Sequence, residues 1–548
     1  MISRQQNQSE RLAKVTHPVA ETIVMVSPNP SALGCVSSIL GDYGPQALQD
    51  ADKPALVWEH GSRTYGQLRG RALRLAASLR EMGLQTGDRV ATLLFNRGET
   101  FELYFACAYA GLTFVPISFR LTPTEIASIL DDCKATVIFT ESDLMATLEG
   151  TFPLLNLIPR VVSLGATDGG AEFEELATTI APVHRPVPND VQMILYTSGT
   201  TGRPKGVAMR SQAIAWCAMQ QVTQFRGLDR NAVMLLNAPM FNTAAMNESS
   251  IPTFFVGGTV AIMPSRGWSA VRLAEFINRW RVTHVLMFPS MFRDLIAADD
   301  DVRIPLDTME WWYTGGENCP PALMSEVRRR WPHISLTISY GSTESGMATL
   351  IEGDDIEKYP GSVGRVAPGQ SIRLLDANGN DVPVGEVGEV WTAGPSVMAH
   401  YWESPQLDAE TVRDGWLKIG DLARMDEGGW IYIVGRTKDL IISKGQNIYP
   451  AEIENAVRQH QAVLDVAVVG VPDPEFGEAV CACVMLRKGV VVEKDEILAF
   501  ALQRLASYKK PRHMFFMEAF PIRNSTKVDK VELARICAAM LSDNGVGA

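Results

Sequence analysis

The chain has 548 residues, of which 46% are hydrophobic, 20% charged and 8% aromatic. It carries 50 Lys and Arg against 62 Asp and Glu, a formal charge of −12. This excludes a disordered, collagen-like or disulfide-scaffold chain, calls for more than one hydrophobic core, and argues against a nucleic-acid partner.

The eight cysteines include no CxxC pair, and the eight histidines no HxxxH or HExxH spacing. No structural or catalytic zinc site is therefore expected. Cys481 and Cys483 fall on one face of an expected strand, and two thiols without further ligands read as core. Scattered thiols, and a polar start without a signal-peptide core, lead to a cytoplasmic expectation. The apolar stretches 104–117 and 251–264 are too short and too interrupted to span a bilayer, so no transmembrane segment is expected.

In chain order, residues 1–40 hold no sustained period and read as an N-terminal extension of unknown role. Leu68, Ala72, Leu75, Ala76 and Leu79 share one helical face, with Gly83 placed to stop that helix. An apolar run at 90–95, a helix at 100–110, a run at 113–115, a helix at 123–132 and a run at 135–139 follow. Alternation of this kind predicts a mostly parallel sheet covered on both faces. It returns after 188, with strands at 192–197, 233–236 and 285–288 and helices at 211–222 and 269–280. Between 361 and 435 short strands punctuated by Gly and Pro, including 376–380 and 386–393, predict a β-rich subdomain. Beyond 436 come a helix at 450–459, strands at 465–471 and 479–486, and a helix at 493–506. The expected fold is α/β: a large domain of βα-wound sheets plus a β-rich subdomain over 41–436, and a smaller, mobile α+β domain over 437–548.

The segment Tyr196-Thr-Ser-Gly-Thr-Thr-Gly-Arg-Pro-Lys-Gly-Val207 packs hydroxyls, glycines and a lysine behind an apolar strand. Glycines let the backbone turn around an anion, hydroxyls and N–H groups donate to phosphate oxygens, and Lys205 adds charge. It is not a Walker A loop, because Pro204 stands where the second Gly is needed.

This segment resembles the phosphate loop of the adenylate-forming superfamily: acyl-CoA synthetases, luciferases and peptide-synthetase adenylation domains. Tyr340-Gly-Ser-Thr-Glu344 is similar to its YGxTE motif, and Gly415-Trp-Leu-Lys-Ile-Gly-Asp421 to GWxxTGD, with Ile419 in place of Thr. Gly435-Arg-Thr-Lys-Asp-Leu-Ile441, the run from Lys444 to Glu454, Val471-Pro-Asp-Pro474 and Tyr508-Lys-Lys-Pro-Arg512 match further motifs in the family's order. The branch resembled most is that of fatty-acid and aryl or coumarate CoA ligases.

The resemblance implies ATP, Mg²⁺ and CoA, and a small carboxylic acid as partner. Thr197, Ser198, Gly199, Thr200, Thr201, Gly202, Lys205 and Thr343 would meet phosphate. Gly315, Gly316 and Glu317 would line the adenine, with Tyr340 stacked on it and Gly341 beside it. Asp421 and Arg436 would take the ribose, and Glu344 the metal, since Mg²⁺ prefers carboxylate, phosphate and water oxygens. Lys527, in a segment similar to PxxxxGK[IV]xK, would bring carboxylate and α-phosphate together; here Thr526 replaces the Gly before it. Lys438 matches the hinge, and Lys444 and Gly445 the segment that approaches the CoA thiol. A carboxylate is already ionised near neutral pH, so adenylation needs positioning and charge stabilisation rather than a general base.

Asn242 stands where many relatives carry a gating His. Together with Ala244, Ser339 and Gly346 it marks an acyl pocket that suits a bulky aryl-alkanoic, alicyclic or medium-chain acid better than acetate. Met240, Met246, Trp311 and Trp312 fit either pocket or core. The activity implied is an acid–thiol ligase: carboxylate plus ATP gives acyl-AMP and pyrophosphate, then CoA gives acyl-CoA and AMP. The alternatives are loading of a carrier protein in trans and a non-catalytic binding homologue. The sequence does not set oligomeric state, and a homodimer is one option.

Overall fold

The computed structural model describes residues 36–39, 51–165, 170–178, 187, 189–198, 204–301, 303–444, 446–523 and 527–543. Within residues 1–40, the described part lies against the body: Val36 and Ile39 are buried, and the Val36 amide donates to Ser211 Oγ at 2.8 Å.

Two large sheets dominate. One has seven strands, in the order His400–Tyr401, Pro204–Met209, Met193–Ser198, Thr113–Pro116, Arg89–Leu93, Val137–Glu141, Arg160–Leu164. Its inner pairs are parallel, from Arg160–Leu164 through to Met193–Ser198, and Met193–Ser198 turns back antiparallel on Pro204–Met209. The helices between these strands are those the periodicity calls for. Tyr65–Glu81 and Pro123–Cys133 each start at a threonine, Thr64 and Thr122, in a capping box with Gln67 and Glu125. Those boxes satisfy amide groups that the first turn would leave unpaired. Gly98–Ala110 is buried along its whole length, and its apolar run therefore packs between layers rather than crossing anything. Among the described residues no helix is long and apolar enough to cross a membrane.

The second sheet has nine strands, with Val233–Leu236, His284–Leu286, Trp311–Gly315 and Ser335–Ser342 parallel at its centre. Ser335–Ser342 then folds back on Gly346–Glu352. A separate five-stranded antiparallel sheet is built from Ser371–Leu375, Val387–Ala393, Val412–Arg413, Trp416–Met425 and Ile431–Arg436. It is the β-rich region expected between 361 and 435, with one correction: residues 376–380 are a turn, not a strand. Asp376 Oδ1 accepts from the amides of Asn378 and Asn380, both at 2.8 Å, the local side-chain bonding that favours turns over ladders.

Beyond Arg436 another sheet forms around Val463–Asp473 and Gly477–Leu486, with its own apolar clusters. The helix expected at 493–506 is shorter, Lys494–Leu502. Cys481 and Cys483 are fully buried on one face of their strand, as read from the alternation. They are not a lone pair, however: Cys537, from the helix Lys530–Asp543, brings a third thiol, and the three sulfurs lie within 4.8 Å of one another.

Candidate functional site

The hairpin Met193–Ser198 and Pro204–Met209 holds the ends of the glycine- and hydroxyl-rich segment in register, with Thr197 opposite Lys205. Gly199, Thr200, Thr201 and Gly202 lie outside the described residues, as does Gly445. Ser198 closes the first strand. Lys205 Nζ meets Glu344 Oε1 at 2.7 Å and donates to the Tyr401 hydroxyl at 3.0 Å. That hydroxyl donates in turn to Glu344 Oε1 at 3.1 Å. Burial pushes the Glu344 carboxyl up, but the Lys205 charge and these hydrogen bonds outweigh it and hold the carboxyl below its usual value. Next to this trio, the Thr197 hydroxyl is buried and, among the described residues, meets no hydrogen-bond partner. An orphan hydroxyl of this kind is costly to leave unsatisfied, which makes it a fit for a ligand oxygen.

Four residues before Glu344, Tyr340 donates its hydroxyl to Asp421 Oδ2 at 2.8 Å, and Arg436 Nε meets Asp421 Oδ1 at 3.0 Å. Asp421 and Arg436 are register partners on adjacent antiparallel strands, so the ladder itself sets their approach. Asp421 is buried, whereas the Arg436 side chain is 47% exposed. Ile419 packs partly buried in the same apolar cluster as Tyr340. The loop from Tyr340 to Glu344 thus serves both groups, its tyrosine reaching one and its glutamate the other.

The neighbouring backbone is tight. A Cβ at Gly315 would stand 2.5 Å from the Ser339 carbonyl oxygen, and one at Gly341 only 2.0 Å from that of Gly346. Glycine is the residue that fits at both. Gly316 follows at φ +74°. Glu317 accepts from the Ser290 amide and hydroxyl, both at 3.2 Å, and so ties the strand end to the helix Pro289–Asp301. Thr343 is half-buried between Tyr340 and Glu344.

Of the residues named for the acyl side, Ala244 opens the π-helix Ala244–Ser250 and Asn242 precedes it. The hydroxyls of Ser249 and Ser250 donate back to the Ala245 carbonyl at 2.9 and 2.7 Å, competing with the α-helical ladder and widening the turn. Asn242 and Ala244 are half-buried, Ser339 donates to the Tyr313 hydroxyl at 2.6 Å, and Gly346 opens the adjacent strand. Met240, Met246, Trp311 and Trp312 are all core, at 4% exposure or less.

The other expected residues stand apart. Lys438 is exposed in the single turn Thr437–Asp439. Lys444 pairs with Glu475 at 2.6 Å and lies over the Phe476 ring at 3.9 Å, so its contacts stay beyond Arg436. Lys527 begins the strand Lys527–Val528, in backbone register with Arg523, and Thr526 before it lies outside the described residues.

Three residues of the site were not found from sequence. Tyr401 reaches Lys205 across 196 positions of chain, a contact made by the pairing of His400–Tyr401 with Pro204–Met209 and marked by no spacing. Tyr313 and Glu248 meet at 3.3 Å in the same way, and Glu248, flanked by Asn247, Ser249 and Ser250, carries no local sign of it.

Known proteins resemble this chain over most of its length. The family described as AMP-binding enzyme matches residues 45–402, and the AMP-binding enzyme C-terminal domain matches 452–527. An indoleacetate–CoA ligase of Aromatoleum aromaticum is 32% identical over 494 residues, covering 89% of this chain and 95% of its own. A feruloyl-CoA synthase of an Amycolatopsis species is 36% identical over 486 residues, covering 88% and 96%. The crystal structure of ATP-bound MatB from Rhodopseudomonas palustris superposes with a TM-score of 0.84 at 28% identity, covering 92% of this chain and 99% of that one.

Proposed function

The chain belongs to the AMP-binding enzyme family, and from that membership we propose that it is an ATP-dependent, AMP-forming carboxylic acid–CoA ligase. In the first half-reaction the acid's carboxylate attacks the α-phosphate of ATP, forming acyl-AMP and releasing pyrophosphate. In the second, the CoA thiol attacks the acyl carbonyl and AMP leaves. A free thiol near pKa 8.5 is slightly ionised at neutral pH, yet it is a good nucleophile toward a mixed anhydride.

The observation that carries the reading is the loop Tyr340–Glu344, which joins the Asp421–Arg436 pair to the Lys205–Glu344–Tyr401 trio. Asp421 has the acceptor oxygens that two ribose hydroxyls need, and Tyr340 holds one of them in place. Thr197, Ser198, Thr200, Thr201, Thr343 and the glycines beside them are assigned to phosphate, with Lys205 turning from Glu344 to the polyphosphate when ATP binds. The freed, ionised Glu344 carboxylate fits Mg²⁺, which when bound offsets charge on the departing pyrophosphate. Gly315, Gly316, Glu317 and Gly341 form the thin wall for adenine.

Lys527 is assigned to draw the two anions together in the first half-reaction. Lys438 is the hinge on which residues 437–548 turn, so that Lys527 acts first and the Lys444–Gly445 segment serves CoA second; a short connection can absorb that change in φ and ψ. Lys444 would have to leave Glu475, an exposed pair that costs little to separate. Residues 41–436 form the partner domain. The acyl pocket is assigned to Asn242, Ala244, Ser339 and Gly346. Indoleacetate and ferulate, the acids in the relatives' names, support an aryl-substituted acid. A cytoplasmic enzyme needing no nucleic acid completes the proposal, with a homodimer as one option for its assembly.

The test is AMP release from ATP over a panel of carboxylic acids, with and without CoA. Acid-dependent AMP that turns over with CoA and yields acyl-CoA is the expected result. Acyl-AMP that no CoA discharges would replace CoA with a carrier protein, and no AMP with any acid or thiol would overturn the ligase.

A further inference from the structure

Among the described residues, the buried carboxylates have cations for partners. Glu99 and Glu141 pair with Arg97, Glu102 with Arg63 and Arg71, Asp421 with Arg436, and Glu454 with Lys530. This is expected, since a desolvated charge is costly unless compensated. Two half-buried carboxylates, Asp132 and Glu248, are each held by a tyrosine instead. Glu248 stands in the π-helix Ala244–Ser250, and among the described residues its side-chain hydrogen-bond partner is Tyr313 alone, at 3.3 Å to Oε2. No cation pairs with it there.

The groups packed with its tyrosine are apolar or neutral. Tyr313 and Trp311 stack beneath, with centroids 5.5 Å apart and planes at 11°. Met347 is buried in the same cluster, and Ala244, Phe288 and Leu350 pack on it partly exposed. The Tyr313 hydroxyl accepts from Ser339 Oγ at 2.6 Å, so its own proton is committed to Glu248. The other titratable group beside the carboxyl is the Cys217 thiol, itself buried and pushed up to about 12. Burial raises Glu248 to about 7, with the Tyr313 hydrogen bond opposing it. A carboxyl has about four lone-pair sites, and one tyrosine fills one of them.

We propose that Glu248, oriented by Tyr313, is a recognition subsite in the acyl pocket that takes a hydrogen-bond donor, an N–H or O–H group, carried on the body of the acid away from its reacting carboxylate. This rests on the ligase reading and narrows its substrate to a donor-bearing aryl acid. A hydrocarbon acid of the same shape would cover the carboxyl without pairing it and leave a polar group desolvated. The donor can be neutral, as in an indole or a phenol, or cationic, as in an ammonium, and the experiment separates these sources.

Three matched pairs are compared by kcat/KM for AMP release in the full-length protein with CoA. They are indoleacetate against naphthylacetate, para-hydroxycinnamate against para-methylcinnamate, and para-(aminomethyl)phenylacetate against para-ethylphenylacetate. The donor-bearing member of at least one pair is expected to lead by about 10- to 100-fold, the range of a hydrogen bond to a charged group. Glu248→Leu is expected to bring that ratio to about one, with AMP release from the hydrocarbon member reporting a folded protein. Glu248→Gln, which keeps an acceptor but no charge, retains a neutral-donor preference and loses an ammonium one. Equal values for every pair in the wild type, or a ratio that survives Glu248→Leu, would overturn the subsite while leaving the ligase intact. If no acid releases AMP, the ligase reading has failed, and calorimetric affinity of the same pairs for the AMP-saturated protein decides the subsite. A donor preference lost in Glu248→Leu supports it, and equal affinities overturn it.

Discussion

The side of this site that we assign to the nucleotide and the side that we assign to the acid solve opposite problems. On the nucleotide side Lys205 pairs with Glu344 and Arg436 with Asp421, and Tyr340 and Tyr401 are bonded across them. On the side assigned to the acid, Ala244, Phe288 and Leu350 make an apolar wall over the core residues Trp311, Tyr313 and Met347, and Glu248 is held by one phenol. Paired charges hold their positions until a ligand takes one partner over, as the polyphosphate would take Lys205 from Glu344. An apolar wall with one unmatched carboxyl fixes little by itself and leaves recognition to the ligand. Reaction type is therefore written on one side and substrate choice on the other.

That contrast yields four tests, and the largest effect belongs to the reaction side. Lys527→Ala is expected to slow adenylation by about 10²–10³-fold, the cost of one preorganised charge at a transition state, read as acid-dependent pyrophosphate release. Glu344→Gln is expected to cost about 10²-fold in the same assay and to weaken its response to added Mg²⁺; an unchanged Mg²⁺ titration would remove Glu344 from that role. Asp421→Asn takes the charge from beside Arg436 and should raise the KM for ATP by about 10- to 100-fold, while the KM for the acid stays put. A parallel rise in both would mean that Asp421 supports the fold rather than the ribose.

The smallest effect near neutral pH lies under the acyl wall. His284 is fully buried against Trp311, and burial lowers it to about 4 from 6.5. The folded state then binds fewer protons than the unfolded chain between those values, so this contribution is complete above 6.5 and is lost as pH falls toward 4. Its full size is about 3 kcal/mol, and urea unfolding across that window should show it. His284→Gln should flatten the dependence; an unaltered slope would show that other groups carry it.

The legibility of the sequence follows the same division. Capping boxes at Thr64 and Thr122, the βα alternation and the hydroxyl-Gly-Lys segment are local, and local chemistry can be read from neighbours in the chain. Asp421 and Arg436 were legible for a related reason, since short motifs carry them into adjacent strands. Tyr401, Tyr313 and Glu248 were not, because their partners arrive through sheet pairing over long separations. Cys537 was missed likewise: strand alternation puts Cys481 and Cys483 together, but only helix docking adds the third thiol. The turn at 376–380 was misread because Asp376 bonds its own loop, where alternation alone suggested a strand.

The central claim is that these motifs perform carboxylate adenylation, and isotope exchange between ATP and pyrophosphate tests it most directly. The assay is run without CoA, with a donor-bearing aryl acid, on the wild type and Lys527→Ala. Exchange that requires the acid, proceeds in the absence of CoA and falls by about 10²-fold or more in the variant is the result expected. Exchange indifferent to the acid, or equal in the two proteins, would contradict the account.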